Sequence, residues 1–332
     1  MTRAPITRVP PAPLYNDPVH QAPTDPTVIE GPDGRWWMFY TQRRAAETGP
    51  DVTWVHGTDI GIACSTDGGL TWTYEGVVEG LDPYDGRNTL WAPEVIFTEG
   101  RFHMFVTHIV GVPSHWAGHD RRILHHVSDD LLQWDYLGVV PLSSSRVIDA
   151  AVHRRPGGGY RLWCKDEAQH SWTWGADSDD LRSWGPSFPV ITGAGHEGPN
   201  VFELGGAYWM IVDEWHGLAV YTAPELDRWQ RQGLILDQPG RRELDQSVGR
   251  HADVVVGRDE DDEEVGLIFY FTDRLHSDPN PPRHTVPLVD QKPHRTDIQV
   301  AELRVVEGRL TCDRDAPFNL DLRRASRHAV IQ

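Results

Sequence analysis

Five copies of one short segment constrain the fold of this chain more than any other feature of its sequence. Each copy is an apolar run that opens on a small or polar residue, as in DPTVI at 25–29 and HADVVV at 251–256. The copies recur at intervals of 49 to 67 residues, and such self-similarity is typical of repeat architectures. Aligned on one valine, they place at equivalent positions Val28, Val95, Val152, Val201 and Val254.

A second segment follows each copy after a turn that contains glycine. It is rich in aromatic and β-branched residues, as in RWWMFYT at 35–41 and AYWMIVD at 207–213. Runs of this kind between turn residues are typical of β-strands. The glycine-containing turns therefore predict hairpins that join these strands to the preceding ones.

A third, less regular segment ends in a turn that leads to tryptophan, as in STDGGLTW at 65–72 and SDDLLQW at 128–134. We expect these tryptophans to pack between neighbouring sheets and a fourth strand to follow each one. Four strands in each of five repeats predict an all-β fold, a five-bladed β-propeller with four antiparallel strands per blade. The four tryptophans are Trp72, Trp134, Trp184 and Trp229.

The repeats leave no room for a second domain. We expect residues 1–332 to form a single propeller domain, with the N-terminal segment 1–20 and the C-terminal segment 300–332 closing or covering the ring. A ring of blades needs its first and last units joined, and segments outside the repeats are available for that purpose.

Composition excludes several classes of partner. A formal net charge of −18 makes nucleic acid and anionic membranes poor partners. No apolar run is long enough to span a membrane, and the N-terminus lacks the apolar core of a signal peptide, so a cytoplasmic location is expected. We expect Cys64, Cys164 and Cys312 to be free thiols. We interpret the presence of only two lysines, Lys165 and Lys292, as codon bias.

The first strand of each propeller blade lines the central channel, so residues near the start of those strands converge on one axis. The channel candidates are Asp25, Glu94, Asp149, Glu197 and His251. Crowding carboxylates in a poorly hydrated site pushes their pKa values apart. Such a set suits glycoside cleavage, in which one carboxylate activates water and another carboxyl group protonates the leaving oxygen.

The motifs DPTVI, WAPEV at 91–95, IDA at 148–150 and EGPN at 197–200 resemble glycoside hydrolase family 43, the five-bladed arabinofuranosidases and xylosidases. The resemblance covers about residues 20–275 and implies an inverting hydrolase of furanosides or xylosides. It implies that Asp25 is the general base, that Asp149 tunes the acid, and that Glu197 is the general acid. No cofactor is required, but the resemblance implies a structural calcium in the central channel, with His251 as a metal candidate.

Further residues are candidates for substrate contact because they surround the expected pocket mouth or can stack on sugar faces. The partner would be an oligosaccharide or another glycoside. Two departures from the family pattern, IDA in place of Ile-Asp-Pro and Arg250 before His251, weaken any transfer of substrate identity. The substrate-binding candidates are Trp54, His56, Trp91, Glu94, His108 and His216.

Three alternatives stay open. A non-catalytic sugar-binding propeller would keep the aromatics but needs no carboxylate triad. A sialidase-like enzyme is suggested by residues 65–72, which match the Asp-box, although sialidases need six blades and three arginines around a carboxylate. A phosphorylase-like enzyme would need a cationic phosphate pocket.

Overall fold

The structure is a computed structural model that describes residues 5–274 and 294–325. Within these ranges the chain forms twenty β-strands and two single-turn 3₁₀ helices, Thr53–Val55 and Leu322–Arg324. Neither helix, and no other in the described ranges, is long and apolar enough to cross a membrane. The three cysteines are free, as expected.

The strands of the first three blades are β1 (Pro23–Glu30), β2 (Trp36–Gln42), β3 (Asp59–Ser65), β4 (Thr73–Val77), β5 (Thr89–Thr98), β6 (Arg101–Ile109), β7 (Arg122–Ser128), β8 (Asp135–Val139), β9 (Val147–Arg154), β10 (Tyr160–Asp166), β11 (Trp172–Ser178) and β12 (Phe188–Ile191). Those of the last two are β13 (Glu197–Leu204), β14 (Ala207–Asp213), β15 (Leu218–Ala223), β16 (Gln230–Ile235), β17 (Arg250–Arg258), β18 (Glu264–Asp273), β19 (Thr296–Val306) and β20 (Arg309–Cys312).

These strands form five separate four-stranded antiparallel sheets, each with its strands in sequence order. The first strands of neighbouring sheets, β1, β5, β9, β13 and β17, contact one another around a closed ring. The predicted five-bladed β-propeller is therefore confirmed. Its five blades also differ from the six that the sialidase alternative requires.

The tryptophans that close four blades pack between the sheets, as the sequence predicts. Each one meets an aromatic ring on the second strand of the preceding blade edge to face, at centroid distances of 6.1 to 6.5 Å. This geometry is favourable for aromatic pairs and excludes water from the blade interface. The pairs are Trp72 with Phe269, Trp134 with Phe39, Trp184 with Phe105, and Trp229 with Trp163.

The segment at 65–72 has a local folding role. The Asp67 carboxylate accepts hydrogen bonds from the backbone amides of Leu70 and Thr71, and the Trp72 indole donates to the carbonyl of Gly69. These bonds hold the turn that directs Trp72 toward Phe269 of the preceding blade. The Asp-box match is thus explained by turn structure.

A bulge near the start of each innermost strand directs side chains toward the axis. The pairing register shifts between Thr24 and Thr27 in β1, and at the corresponding place in the other four blades. At four of the bulges one residue has φ between 44° and 58°, a conformation that is strained for residues other than glycine. These residues are Asp25, Ala92, Asp149 and Gly198.

Both terminal segments bridge the first and last blades. Residues Leu14 and Tyr15 hydrogen-bond to Ile298 of β19, and Leu322 donates its backbone amide to Gly68 of blade one. Only part of the expected closing segment 300–332 lies outside the blades, because β19 and β20 extend to residue 312. Residues 1–4 and 326–332 lie outside the described residues.

Candidate active site

A narrow pocket opens at the axis where the innermost strands begin. Three carboxyl groups reach it from three different blades: Asp25 from β1, Asp149 from β9 and Glu197 from β13. Fold and pocket together define a five-bladed propeller with a carboxylate cluster at one mouth of its channel. The other residues lining the pocket are Arg43, Val55, Trp91, Trp116, Ile148 and His251.

Asp25 is held between two cations. Its Oδ2 lies 3.6 Å from Nη2 of Arg43, and its Oδ1 lies 3.4 Å from Nδ1 of His251. Burial alone would raise the pKa of Asp25, but the charges of Arg43 and His251 hold that pKa well below its usual range. Asp25 is therefore a carboxylate near neutral pH, and a carboxylate can accept a proton from water.

Asp149 has the opposite character. Its side chain is 5% exposed, and burial, reinforced by the charge of Glu197, raises its pKa to about 7. Its Oδ2 accepts a hydrogen bond from the backbone amide of Gly198, 3.1 Å away. Gly198 must be glycine, because a Cβ there would lie 2.6 Å from Cγ of His251. Asp149 therefore adjoins the turn that carries Glu197, and near pH 7 it retains a proton for part of the time.

Glu197 is paired with Lys165 of β10. The Lys165 ammonium lies 2.9 Å from Oε2 of Glu197 and 3.5 Å from Oε1 of Glu167, and it is buried. Burial would raise the pKa of Glu197, but the charge and hydrogen bond of Lys165, together with the Trp215 hydrogen bond and the charge of Arg250, lower that pKa. Asp149 and Glu197 are thus neighbouring carboxyl groups whose environments push their pKa values apart.

Asp213 is a fourth carboxyl group at the site, and it positions its neighbours. It lies opposite Glu197 on β14, and burial raises its pKa to about 6. Its Oδ1 accepts from the backbone amide of Trp215, and its Oδ2 accepts from that of His251. Asp213 thereby joins blade four to the start of blade five beside Asp25.

His251 does not fit the role of direct metal ligand. Burial would lower its pKa, but contact with Asp25 raises that pKa to about 9, so the imidazole is protonated near neutral pH. A protonated imidazole donates from both nitrogens and cannot bind a metal. Among the described residues, no group of three or more His, Cys, Asp or Glu side chains is arranged to hold a metal ion.

Two tryptophans form one wall of the pocket. The rings of Trp91 and Trp116 stack with centroids 5.6 Å apart, and His56 lies against both. The guanidinium of Arg121 lies 5.1 Å from the Trp116 ring and forms an ion pair with Glu167 at 2.7 Å. Trp91 is buried beneath Trp116 and His56, so Trp116, which is 42% exposed, is the ring of this wall that offers aromatic surface beside the carboxylates.

Four substrate-binding candidates, Trp54, His56, His108 and His216, are not among the residues that line the pocket, although the Trp54 ring centroid lies 5.8 Å from the guanidinium of Arg43, which does line it. Trp54 is buried and stacks on His294, with ring centroids 4.1 Å apart. His108 is buried against Asp82, and burial lowers its pKa. His216 is half-buried in the turn after β14, with its Nδ1 2.6 Å from the carbonyl oxygen of Glu214.

Glu94 faces a different cavity. It lies deeper in the channel, which widens to a cavity of about 520 Å³ toward the opposite end of the ring. Its Oε1 accepts a hydrogen bond from the backbone amide of Val152 in the next blade, at 3.0 Å. Burial and the nearby charge of Asp253 raise the pKa of Glu94 to about 8. The structure therefore gives Glu94 a contact between blades.

Sequence reasoning missed Lys165, Arg43, Asp213 and Arg121. Lys165 and Asp213 lie in β10 and β14, Arg43 directly follows β2, and Arg121 directly precedes β7. None of them lies on an innermost strand, and the channel candidates were predicted from the innermost strands alone. Lys165 did carry a signal, because lysine occurs only twice in the chain. The isolated arginines and Asp213 carried none.

Comparison with solved structures gives the same architecture. A thermostable family-43 glycoside hydrolase superposes with a TM-score of 0.65 at 17% identity, over 92% of this chain and 97% of the other. A GH43 β-xylosidase/α-arabinofuranosidase from a compost microbial metagenome, in complex with xylotriose and calcium-free, gives 0.64 at 18% over the same shares. A GH43 β-1,3-galactosidase gives 0.64 at 14%, again over 92% and 97%.

No family model and no curated protein matches the chain. The structural matches therefore establish the fold, a five-bladed propeller like those of GH43 structures. The matches span nearly the whole length of these three structures.

Proposed function

We propose that the chain is a glycoside hydrolase that cleaves a terminal furanoside, such as an arabinofuranoside, or a xyloside, with inversion of configuration. One observation carries the proposal: Asp25, Asp149 and Glu197 meet in one pocket, with the pKa of Asp25 lowered and that of Asp149 raised. Opposed shifts in one site are typical of acid–base catalysis, and here they leave Asp25 ionised as the base and a proton on Asp149, beside Glu197. The fold shared with glycosidase structures supports the same assignment.

In this mechanism Asp25 removes a proton from a water molecule as that water attacks the anomeric carbon. The bond from this carbon to the leaving oxygen breaks, and that oxygen receives a proton from Glu197, which Glu197 in turn takes from Asp149 once substrate is bound. Asp149 sets how readily Glu197 gains its proton, because the two carboxyl groups interact. The hydrolysis uses carboxyl groups and water, and it requires no cofactor.

The pocket favours an exo mode of action. It is narrow and is bounded on one side by Trp91 and Trp116, which suits the entry of a chain end better than the passage of a chain through it. The cations Arg43 and Lys165 are each paired with a carboxylate, which argues against a phosphate-binding pocket of the phosphorylase kind. The substrate class is therefore a neutral oligosaccharide or simple glycoside.

The experiment is a panel of nitrophenyl furanosides and pyranosides together with xylo- and arabino-oligosaccharides. We expect the wild type to release a terminal sugar from at least one, and Glu197→Gln to lose about 10²- to 10⁴-fold in turnover on oligosaccharides. The loss is smaller on nitrophenyl glycosides, because their leaving group needs little protonation.

Asp130→Asn is the matched control, since Asp130 holds an exposed turn of blade two by accepting from the amides of Leu132 and Gln133. It should keep wild-type turnover. Unchanged turnover in Glu197→Gln, at an unchanged melting temperature, would contradict the assignment.

A further inference from the structure

Lys165 occupies a buried site made of acidic groups and one aromatic ring. Its side chain is 3% exposed, and its ammonium contacts Glu197 and Glu167 and lies 5.4 Å from the ring centroid of Trp215. Burying an ammonium ion is unfavourable unless it is paired and hydrogen-bonded, and here two carboxylates meet that need. Lys165 is also one of two lysines in a chain whose other basic side chains are arginine.

We infer that Lys165 is a positioning residue of the proposed hydrolase: it holds Glu197 through Oε2 as a carboxylate in the empty pocket, and it leaves the transferable proton with Asp149. The inference rests on the proposed function for its catalytic meaning. Its structural content, the charge state of Glu197, can be measured without any substrate.

The geometry supports a fixed orientation of Glu197. The bond to Lys165 uses Oε2 of Glu197, and the Trp215 side chain is a second hydrogen-bond partner of the same carboxylate. Lys165 is in turn held by Glu167, which pairs with Arg121 at 2.7 Å and accepts from the Trp116 indole at 3.2 Å. A chain of alternating charges, Arg121–Glu167–Lys165–Glu197, therefore connects the aromatic wall to the acid.

Lysine suits this place better than arginine. A compact ammonium can sit between two single carboxylate oxygens, whereas a planar guanidinium favours two-pronged pairing with one carboxylate. Arg161 on the same strand shows the contrast, because it engages both oxygens of Asp177 from Nε and Nη2 at 2.6 and 2.9 Å.

The charge state of Glu197 depends on every group that faces it, and Lys165 is the nearest cation to it. Asp149 and Asp213 carry raised pKa values, so the ionised form of Glu197 is favoured by Lys165, by the hydrogen bond from the Trp215 side chain and by the more distant Arg250. The facing groups are Lys165 and Glu167 from β10 and the turn after it, Asp149 from β9, Asp213 from β14, Trp215 from the turn after β14, His196 from the turn before β13, and Arg250 and His251 from β17.

The test compares wild type, Lys165→Met and Lys165→Arg by ¹³C NMR titration of the glutamate carboxyl carbons, with the Glu197 signal assigned from Glu197→Gln. An opposite charge in direct contact shifts a carboxyl pKa by about 1–3 units. We expect the pKa of Glu197 to rise by at least about one unit in Lys165→Met and to change little in Lys165→Arg.

The same variants give a kinetic readout. If Lys165 holds Glu197 ionised, the alkaline limb of the pH profile of kcat/KM should move to higher pH in Lys165→Met. Without the ammonium, the Asp149–Glu197 pair retains its proton up to a higher pH. Arg161→Met is the matched control: it removes another buried cation from β10, paired with Asp177 outside the pocket, and should leave the limb in place.

An unshifted Glu197 titration in a folded Lys165→Met would overturn the inference, even if the enzyme hydrolyses glycosides. A shifted Glu197 titration in a protein that cleaves no glycoside would support the role of Lys165 in ionising Glu197. It would contradict the proposed function. If Lys165→Met fails to fold, the Glu197 titration of wild type decides. A pKa at or above the usual glutamate value overturns the inference, and one below it supports the inference.

Discussion

At the scale of single residues, the pocket shows how identical functional groups acquire different charge states. Asp25 and Asp149 occupy equivalent bulge positions on β1 and β9, with φ of 52° and 58°. Asp25 meets Arg43 and His251, whereas Asp149 meets the backbone amide of Gly198 and the negative charge of Glu197. The strained backbone aims both carboxyl groups inward, and the neighbours decide which one keeps a proton.

The pairing of Asp25 with His251 leads to a prediction at this scale. In Asp25→Asn the imidazole loses the contact that raises its pKa to about 9, while burial, which lowers that pKa, remains. We expect the pKa of His251 to fall by at least about two units, giving a neutral ring at pH 8. A ¹⁵N NMR titration of the histidine side chains measures this, with His251→Gln to assign the signal.

His153 serves as the internal reference, because burial lowers its pKa and its Nδ1 contacts the carbonyl of Arg154 far from Asp25. Its titration should be the same in both proteins. A His251 signal that titrates as in wild type would show that Asp25 does not set its charge.

At the scale of strands, the alignment on valine shows that the channel candidates were drawn from two different positions along the innermost strand. Both positions face the channel, but the bulge separates them, so one set lies at the pocket and the other lies deeper. Glu94 belongs to the deeper set, together with Asp253, and this could have been read from the sequence. Three residues before the valine stand Asp25, Ala92, Asp149, Gly198 and His251; one residue before it stand Thr27, Glu94, Ala151, Asn200 and Asp253.

The deeper set links the blades. The amide of Val28 donates to Asp253, that of Val95 donates to Thr27, and that of Val152 donates to Glu94. Each bond joins one innermost strand to the next, so the side chains at this level contribute to ring closure. A polar residue at this level therefore has a structural explanation.

Glu94→Gln provides a prediction about stability. Because the pKa of Glu94 is about 8 in the folded protein and near its ordinary value when unfolded, the folded state binds the extra proton. The free energy of unfolding contributed by Glu94 therefore falls as pH rises from about 4.5 to about 8. Glutamine can still accept from Val152 but cannot ionise, so Glu94→Gln should lose less stability than wild type between about pH 5.5 and about pH 8.5.

Urea denaturation at the two pH values measures this difference. Glu203→Gln is the comparison, because Glu203 lies exposed on the same cavity wall and its substitution should leave the pH dependence as in wild type. An equal loss of stability in wild type and Glu94→Gln would mean that Glu94 is ionised in the folded ring at both pH values.

At the scale of the whole molecule, the blade count and the strand order could be predicted from the sequence, because each blade repeats the same local pattern. The three carboxyl groups of the pocket could also be predicted, since they lie at the start of innermost strands. The repeat pattern does not predict Lys165 or Arg43, because the distance from Lys165 to Glu197 and that from Arg43 to Asp25 depend on the three-dimensional packing of the strands. Trp116 reaches the pocket from a loop whose path no repeat predicts.

The anomeric configuration of the first product tests the central claim most directly. Early in the hydrolysis of a cleaved glycoside, ¹H NMR distinguishes the two anomers of the released sugar before they equilibrate. With Asp25 activating water and Glu197 protonating the leaving oxygen, the account predicts a product of inverted configuration. A product of retained configuration would make one carboxylate a nucleophile and would contradict the roles assigned to Asp25 and Glu197.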